Sequence, residues 1–269
     1  MMSKYSQCSF LQPDIRSEDY PGYSPYTYCL ANPVNYTDPT GMWPTEEAAR
    51  MAHFVYKMEV VCFIGGWEWD EESKFNITKK DNGFQSMLFR REKSNGEMEY
   101  ALAFAGTDPN DPKDIKQDVL QVFGLSSQYS EAMRLAVKFQ EQFTGDRTFV
   151  GHSLGGGLSS VAAQITSGYA MTFNAAGVSP LTMIPNPLAR IDAYVTVTDP
   201  LNILQNNIRF LPDVDGDVHL RLPHSMDIRH GHDITNFYEP DILDRFIDRS
   251  KDKIRRGYRN IIRSIRRNR

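Results

Sequence analysis

A serine hydroxyl acts as a nucleophile when a tight turn presents it, a base takes its proton and fixed donors hold the oxyanion that forms. Gly151-His152-Ser153-Leu154-Gly155 has the G-x-S-x-G form of such a turn, with the serine between a strand and a helix. The flanks agree with that placement. Arg147 to Val150 reads as a short buried strand, and the small residues from Gly156 to Ile165 read as a helix. A serine on so sharp a turn takes a strained backbone, and Gly151 and Gly155 leave room for strand and helix to approach. The plainer reading, a glycine-rich helix entry with an incidental serine, leaves these flanks unexplained.

A base and a carboxylate must come from elsewhere in the chain, in the order serine, acid, histidine when the serine sits on such an elbow. The strand-like Ala193 to Val197 runs into Thr198-Asp199-Pro200, which puts Asp199 at a strand's C-terminal end. Proline after it favours an extended Asp199 and a strand ending rather than a helix. Asp192, Asp213, Asp215 and Asp217 lack this placement. Four histidines follow. His219 lies in the alternating Val218 to Leu222 and reads as structural, while His224 precedes Ser-Met-Asp in a loop. His230 and His232 flank Gly231 just ahead of a helix start at Asp233 to Tyr238. His232 is the favoured base, with His230 and His224 as alternatives. The backbone N–H of Leu154, next to the nucleophile at a helix N-terminus, is the first expected oxyanion donor.

No metal or other cofactor is expected. The histidines carry no H-E-x-x-H pattern, and Asp213-Val214-Asp215-Gly216-Asp217 has its glycine too early for an EF-hand and reads as a hairpin turn. Cys8, Cys29 and Cys62 are an odd number without metal spacing and read as free thiols.

The elements that must position these groups alternate between strand and helix. Pro44-Thr45-Glu46-Glu47 starts a helix, with Thr45 as cap and acids in the first turn. Phe84 to Arg91 and Met98 to Phe104 form a hairpin around Ser94-Asn95-Gly96. Tyr100 to Phe104 is a nearly continuous apolar run, as in a strand covered on both faces. Ser130 to Phe143 has one apolar helical face, and Ala170 to Phe173 and Ile191 to Val197 are further strands. This order predicts a parallel sheet in an α/β layer fold.

Two resemblances sharpen the reading. Phe104-Ala105-Gly106-Thr107, the elbow at Gly151 to Gly156, Thr172-Phe173-Asn174 and Asp199 together resemble the class 3, or fungal-type, lipase family over roughly residues 84 to 240. The resemblance implies an α/β-hydrolase fold, with a mostly parallel central sheet flanked by helices, and a lipase- or phospholipase-type activity on lipid acyl esters. It also implies that Thr107 lines the oxyanion hole. The chain departs from the family pattern at Ala105, where arginine is frequent. Earlier in the chain, the stretch from Tyr23 to Trp43, with Asp38-Pro39-Thr40-Gly41, resembles the end of an Rhs-repeat core. That resemblance implies a C-terminal toxin after the boundary, bacterial origin and a neutralising immunity protein as partner.

Composition sets the remaining bounds. The chain has 269 residues, 41% hydrophobic and 24% charged, enough for one sizeable core. Three parts are expected: an Rhs-like segment over 1–43, a hydrolase domain over 44–248 and a basic amphipathic helix over 249–269. Residues 249–269 hold ten Lys or Arg against one acid, a balance of +9 that leaves −13 for the rest of a chain whose net charge is −4. Ile254, Tyr258, Ile261, Ile262 and Ile265 form an apolar stripe there. The pattern fits adsorption to an anionic membrane surface, an acidic partner, or docking of a terminal helix on the body. An acidic body argues against nucleic acid as partner. The N-terminal residues lack the apolar stretch of a signal peptide, so the expectation is synthesis in the cytoplasm and delivery or secretion by a specialised route.

Overall fold

The computed structural model describes residues 45–58, 66–93, 95–106, 126–208, 211–224 and 230–238. The Rhs-like segment, Thr107, the three cysteines and the basic tail lie outside these residues. Among these residues seven strands form one sheet in sequence order: β1 (Glu68–Trp69), β2 (Ser86–Glu92), β3 (Met98–Phe104), β4 (Asp146–His152), β5 (Tyr169–Phe173), β6 (Arg190–Thr196) and β7 (Asp217–Arg221). The first two pairings are antiparallel and the next four are parallel. Helices α1 (Thr45–Lys57), α2 (Ser126–Gln142), α3 (Leu154–Thr166) and α4 (Pro200–Asn207) flank it, and Ile234–Phe237 forms a 3-10 turn. This is an α/β fold built on a mostly parallel sheet, and the hairpin of β2 and β3 appears where it was expected.

Successive residues of a strand point to opposite faces, and here both faces are buried. On one, Ala101 and Ala103 of β3, Val150 of β4 and Phe173 of β5 pack with Met51, Ala52 and Val55 of α1. Ile234, Phe237 and Tyr238 join that layer. On the other, Leu102, Phe104 and Phe149 pack with Phe139 of α2 and with Leu158, Val161 and Ala162 of α3. The apolar run in β3 is therefore explained by a helix layer on each side. Among the described residues β7 is the last strand at the other end of the sheet, and Val218, Leu220 and Leu222 are exposed.

Two expectations about loops need correction. Asp213 to Asp217 is not a hairpin turn, because β7 runs parallel to β6 and a two-residue turn cannot join parallel strands. The connection instead crosses over through α4, and Gly216, at φ 96°, turns the chain into β7. Asp199 is extended, as the following proline suggests, yet it also caps a helix: at φ −65° and ψ 115° it is the N-cap of α4, with Pro200 in the first turn.

The approach of α3 to the sheet depends on two glycines. A Cβ on Gly151 would lie 2.1 Å from the carbonyl O of Gly155, and one on Gly155 would lie 2.2 Å from the carbonyl O of Phe104. Both obstacles are backbone, which cannot rotate aside. Gly155→Ala is expected to destabilise the fold by about 3 kcal/mol, a fall of ~6–12 °C in thermal midpoint for a domain of this size. Circular dichroism melting checks this, and an unchanged midpoint would mean that α3 does not sit this close to β3.

Candidate active site

Strand β4 ends at His152 and α3 begins at Leu154, so a single residue, Ser153, makes the turn between them. Its backbone stands at φ 57° and ψ −126°, a region that residues with a Cβ rarely occupy. Hydrogen bonds hold it there. Ser153 N–H donates to the carbonyl of Phe173 at 3.0 Å, and its own carbonyl accepts from Gly156 at 3.0 Å and Ala176 at 2.9 Å. The hydroxyl is thereby fixed above the C-terminal edge of the sheet.

The structure brings three of the expected residues together there. Ser153 Oγ lies 2.9 Å from His232 Nε2, and His232 Nδ1 lies 2.6 Å from Asp199 Oδ1. Because the carboxylate only accepts, Nδ1 carries the hydrogen and Nε2 is left to receive one from the serine. Asp199 is fully buried, and its capping geometry is also what orients it. Its oxygens accept from the N–H of Leu201 at 3.3 Å, from the N–H of Asn202 at 3.0 Å and from the side-chain amide of Asn202. Burial pushes the carboxyl up, but the charge of His232 and the hydrogen bonds from His232 and Asn202 outweigh it and hold the group below its ordinary value.

His230 and His224, the alternative bases, are exposed, and neither imidazole has a hydrogen-bond partner among the described residues. What those positions contribute is backbone. The N–H of His224 donates to Asn236 Oδ1 at 2.9 Å, and the carbonyl of His230 accepts from Asn236 Nδ2 at 2.7 Å. His219 lies on β7 with Nε2 3.1 Å from Asp192 Oδ1. Asp192 is buried and also accepts from the Tyr169 hydroxyl at 2.7 Å.

The loop carrying His232 is tied to the sheet by side chains to which the sequence alone assigns no role. Gly231 packs against Thr198, and its carbonyl accepts from Asn174 Nδ2 at 3.0 Å and from the Thr196 hydroxyl. Asn174 also accepts the Thr196 N–H at 2.9 Å through its Oδ1. The carbonyl of His232 itself accepts from His152 Nε2 at 2.7 Å. Signals for these groups existed. Asn202 stands three residues after the Asp199 that starts a helix, Asn174 directly follows β5, Thr196 ends β6, and His152 is the variable residue inside the elbow motif.

Leu154 opens α3, so its amide is one of the unpaired N–H groups that a helix N-terminus presents. Gly106, the last described residue before Thr107, lies against the elbow: a Cβ there would sit 2.8 Å from the carbonyl O of His152 and 3.1 Å from Gly155 N. Among the described residues no group of three or more His, Cys, Asp or Glu could hold a metal, and no helix is long and apolar enough to cross a membrane.

His152 gives the site a measurable pH signature. Burial, and then the neighbouring His232, push its imidazole down to about 3, against weaker opposing effects of its hydrogen bond to the His232 carbonyl and of Asp199 and Asp233. In the unfolded chain it titrates near 6.5. Between these values the unfolded state binds more protons, so this group lowers stability as pH falls from 6.5 toward 3. Asp199, whose folded value is depressed, adds its own loss only below its unfolded value of about 3.9. Urea unfolding between pH 4 and pH 6.5 is expected to show a shallower acid loss for His152→Phe than for the unaltered chain. Equal slopes would contradict a buried neutral imidazole.

Comparison with known proteins sets this geometry in a family. Residues 48–224 match the phospholipase-like family described as a Tle-like phospholipase domain. The match takes in the whole sheet, Ser153 and Asp199, and stops short of His232. An extracellular phospholipase A1 from Serratia liquefaciens is 37% identical over 147 residues, 50% of this chain and 44% of that protein, so the chain spans less than half of that relative's length. Two solved structures are similar at 12% identity. A triacylglycerol lipase from Penicillium expansum has a TM-score of 0.43 over 71% of this chain and 87% of its own, and the Rhizomucor miehei lipase propeptide complex 0.46 over 79% and 82%. On the family match, which covers more than half of its length, the chain belongs to the Tle-like phospholipase domain family.

Proposed function

We propose that the protein is a serine hydrolase of phospholipid acyl esters, with Ser153 as nucleophile, His232 as base and Asp199 as the carboxylate that orients the base. The observation that carries this reading is the continuous path from Ser153 Oγ through both nitrogens of His232 to Asp199, at 2.9 and 2.6 Å. The phospholipid substrate is suggested by the family and by the Serratia relative. Ser153 Oγ attacks the ester carbonyl as its proton passes to His232 Nε2. The oxyanion is held by the Leu154 N–H and by Thr107, the residue after Gly106 in the sequence. Collapse expels the lysophospholipid alcohol, which takes the proton from His232. Water, deprotonated by the same histidine, then releases the fatty acid and restores the serine.

The segments at either end extend the proposal. The Rhs-like stretch over 1–43 supports the toxin end of a delivered effector, a role in which an immunity protein would be a partner. The basic 249–269 stretch supports attraction to anionic membrane, since each basic residue near such a surface contributes about 1 kcal/mol.

Fatty-acid release from phospholipid vesicles tests the reading. Ser153→Ala, His232→Ala and Asp199→Asn are expected to lower turnover by ~10⁴-fold or more. Thr107→Val should lower it ~10²- to 10³-fold with little change in KM. Removal of 249–269 should reduce release from anionic vesicles and leave hydrolysis of a short soluble ester unchanged. Undiminished release by Ser153→Ala would sink the assignment of the nucleophile.

A further inference from the structure

We infer that His152 is a positioning residue for the reaction, holding the backbone of His232 so that its imidazole meets Ser153. The inference rests on the Ser153–His232–Asp199 reading and goes beyond it, since it gives a task to a residue that the triad does not include.

His152 ends β4 on the face covered by α1, and its ring is buried. A carbonyl only accepts, so the 2.7 Å contact between Nε2 and the His232 carbonyl requires the hydrogen on Nε2. Nδ1 is then an acceptor, and the Tyr56 hydroxyl of α1 stands 3.2 Å from it. The same hydroxyl lies 3.2 Å from the carbonyl of His152. One tautomer of a neutral ring, with its hydrogen on Nε2, fits this arrangement, and burial favours the neutral ring. The two imidazoles lie side by side, with ring centroids 4.8 Å apart.

The arrangement is useful because of adjacency. His152 and Ser153 are consecutive residues on one strand end, and both reach residue 232: His152 takes its backbone carbonyl and Ser153 its Nε2. Any shift of the β4 terminus carries tether and nucleophile together, so the 2.9 Å separation is kept. The ties from Asn174 and Thr196 end on Gly231, and those from Asn236 on His230, Gly231 and Asp233. Among the described residues, His152 is the side chain that bonds the His232 carbonyl itself. Removing its donor leaves the loop in place yet frees the base to turn, and a misplacement of about 1 Å can lower the rate ~10²-fold.

The test compares His152→Phe, which keeps the ring volume without the donor, with His152→Gln, whose amide N–H replaces Nε2–H at a similar reach. Hydrolysis of a short soluble ester is followed with Ser153→Ala measured alongside. The Phe variant is expected to lower kcat ~10- to 100-fold with KM within about twofold, and the Gln variant to recover most of that loss. If circular dichroism shows the Phe variant unfolded, His152→Met takes its place, with the same expectation. Near-native kcat in the Phe or Met variant, or a Gln variant as impaired as Phe, overturns the inference while an inactive Ser153→Ala keeps the triad. An active Ser153→Ala overturns both.

Discussion

The backbone of Ser153 stands at φ 57° and ψ −126°, a conformation that costs on the order of 1–3 kcal/mol at a residue with a side chain. An isolated strand–turn–helix would relax out of it. Here it persists because its surroundings over-determine it. Phe173 of β5 takes the N–H, Ala176 and Gly156 share the carbonyl, and β3, β4 and α3 meet at contacts that only glycine permits. The rest of the architecture follows from keeping this junction. The parallel strands β3 to β6 deliver their C-terminal ends to one edge, so the strand ends that fix the turn also fix what surrounds it.

Along that edge the sheet does two things at once. Strand ends supply hydrogen-bond donors, His152 from β4, Asn174 just after β5 and Thr196 from β6, to carbonyls of the loop around His232. The same edge launches α4, whose N-terminus organises Asp199: two backbone N–H groups and the Asn202 amide point at a carboxylate that is otherwise buried. Burial alone would favour the neutral acid. The helix-end donors and His232 reverse that preference, so the carboxylate is charged where a developing imidazolium would need it. The neutral imidazole of His152 adds a hydrogen bond beside His232 without adding a second positive charge.

Much of this was legible in the chain. The elbow declared itself because its chemistry needs small residues at fixed offsets, and the hairpin because Asn95-Gly96 joins two runs of strand-forming residues. Asp199 could be chosen over other acids because a strand runs straight into Asp-Pro, although its second role as a helix cap needed the structure. The histidines were harder. His224, His230 and His232 share one loop-rich stretch, and what separates them is which one the carbonyl contacts at Gly231 and His232 turn toward Asp199. Those contacts come from residues 35 to 80 positions away, which no local pattern encodes. The error over Asp213 to Asp217 has a similar origin, since turn residues look alike ahead of an antiparallel and a parallel strand.

The central claim is that the strained serine, activated through His232, forms the covalent intermediate. Its most direct test is labelling with a serine-directed phosphonate, mapped by peptide mass spectrometry. The account predicts one adduct per chain, on the peptide containing Ser153, absent in Ser153→Ala and formed far more slowly in His232→Ala. An adduct on another residue, or no adduct from a preparation that still hydrolyses phospholipid, would contradict it.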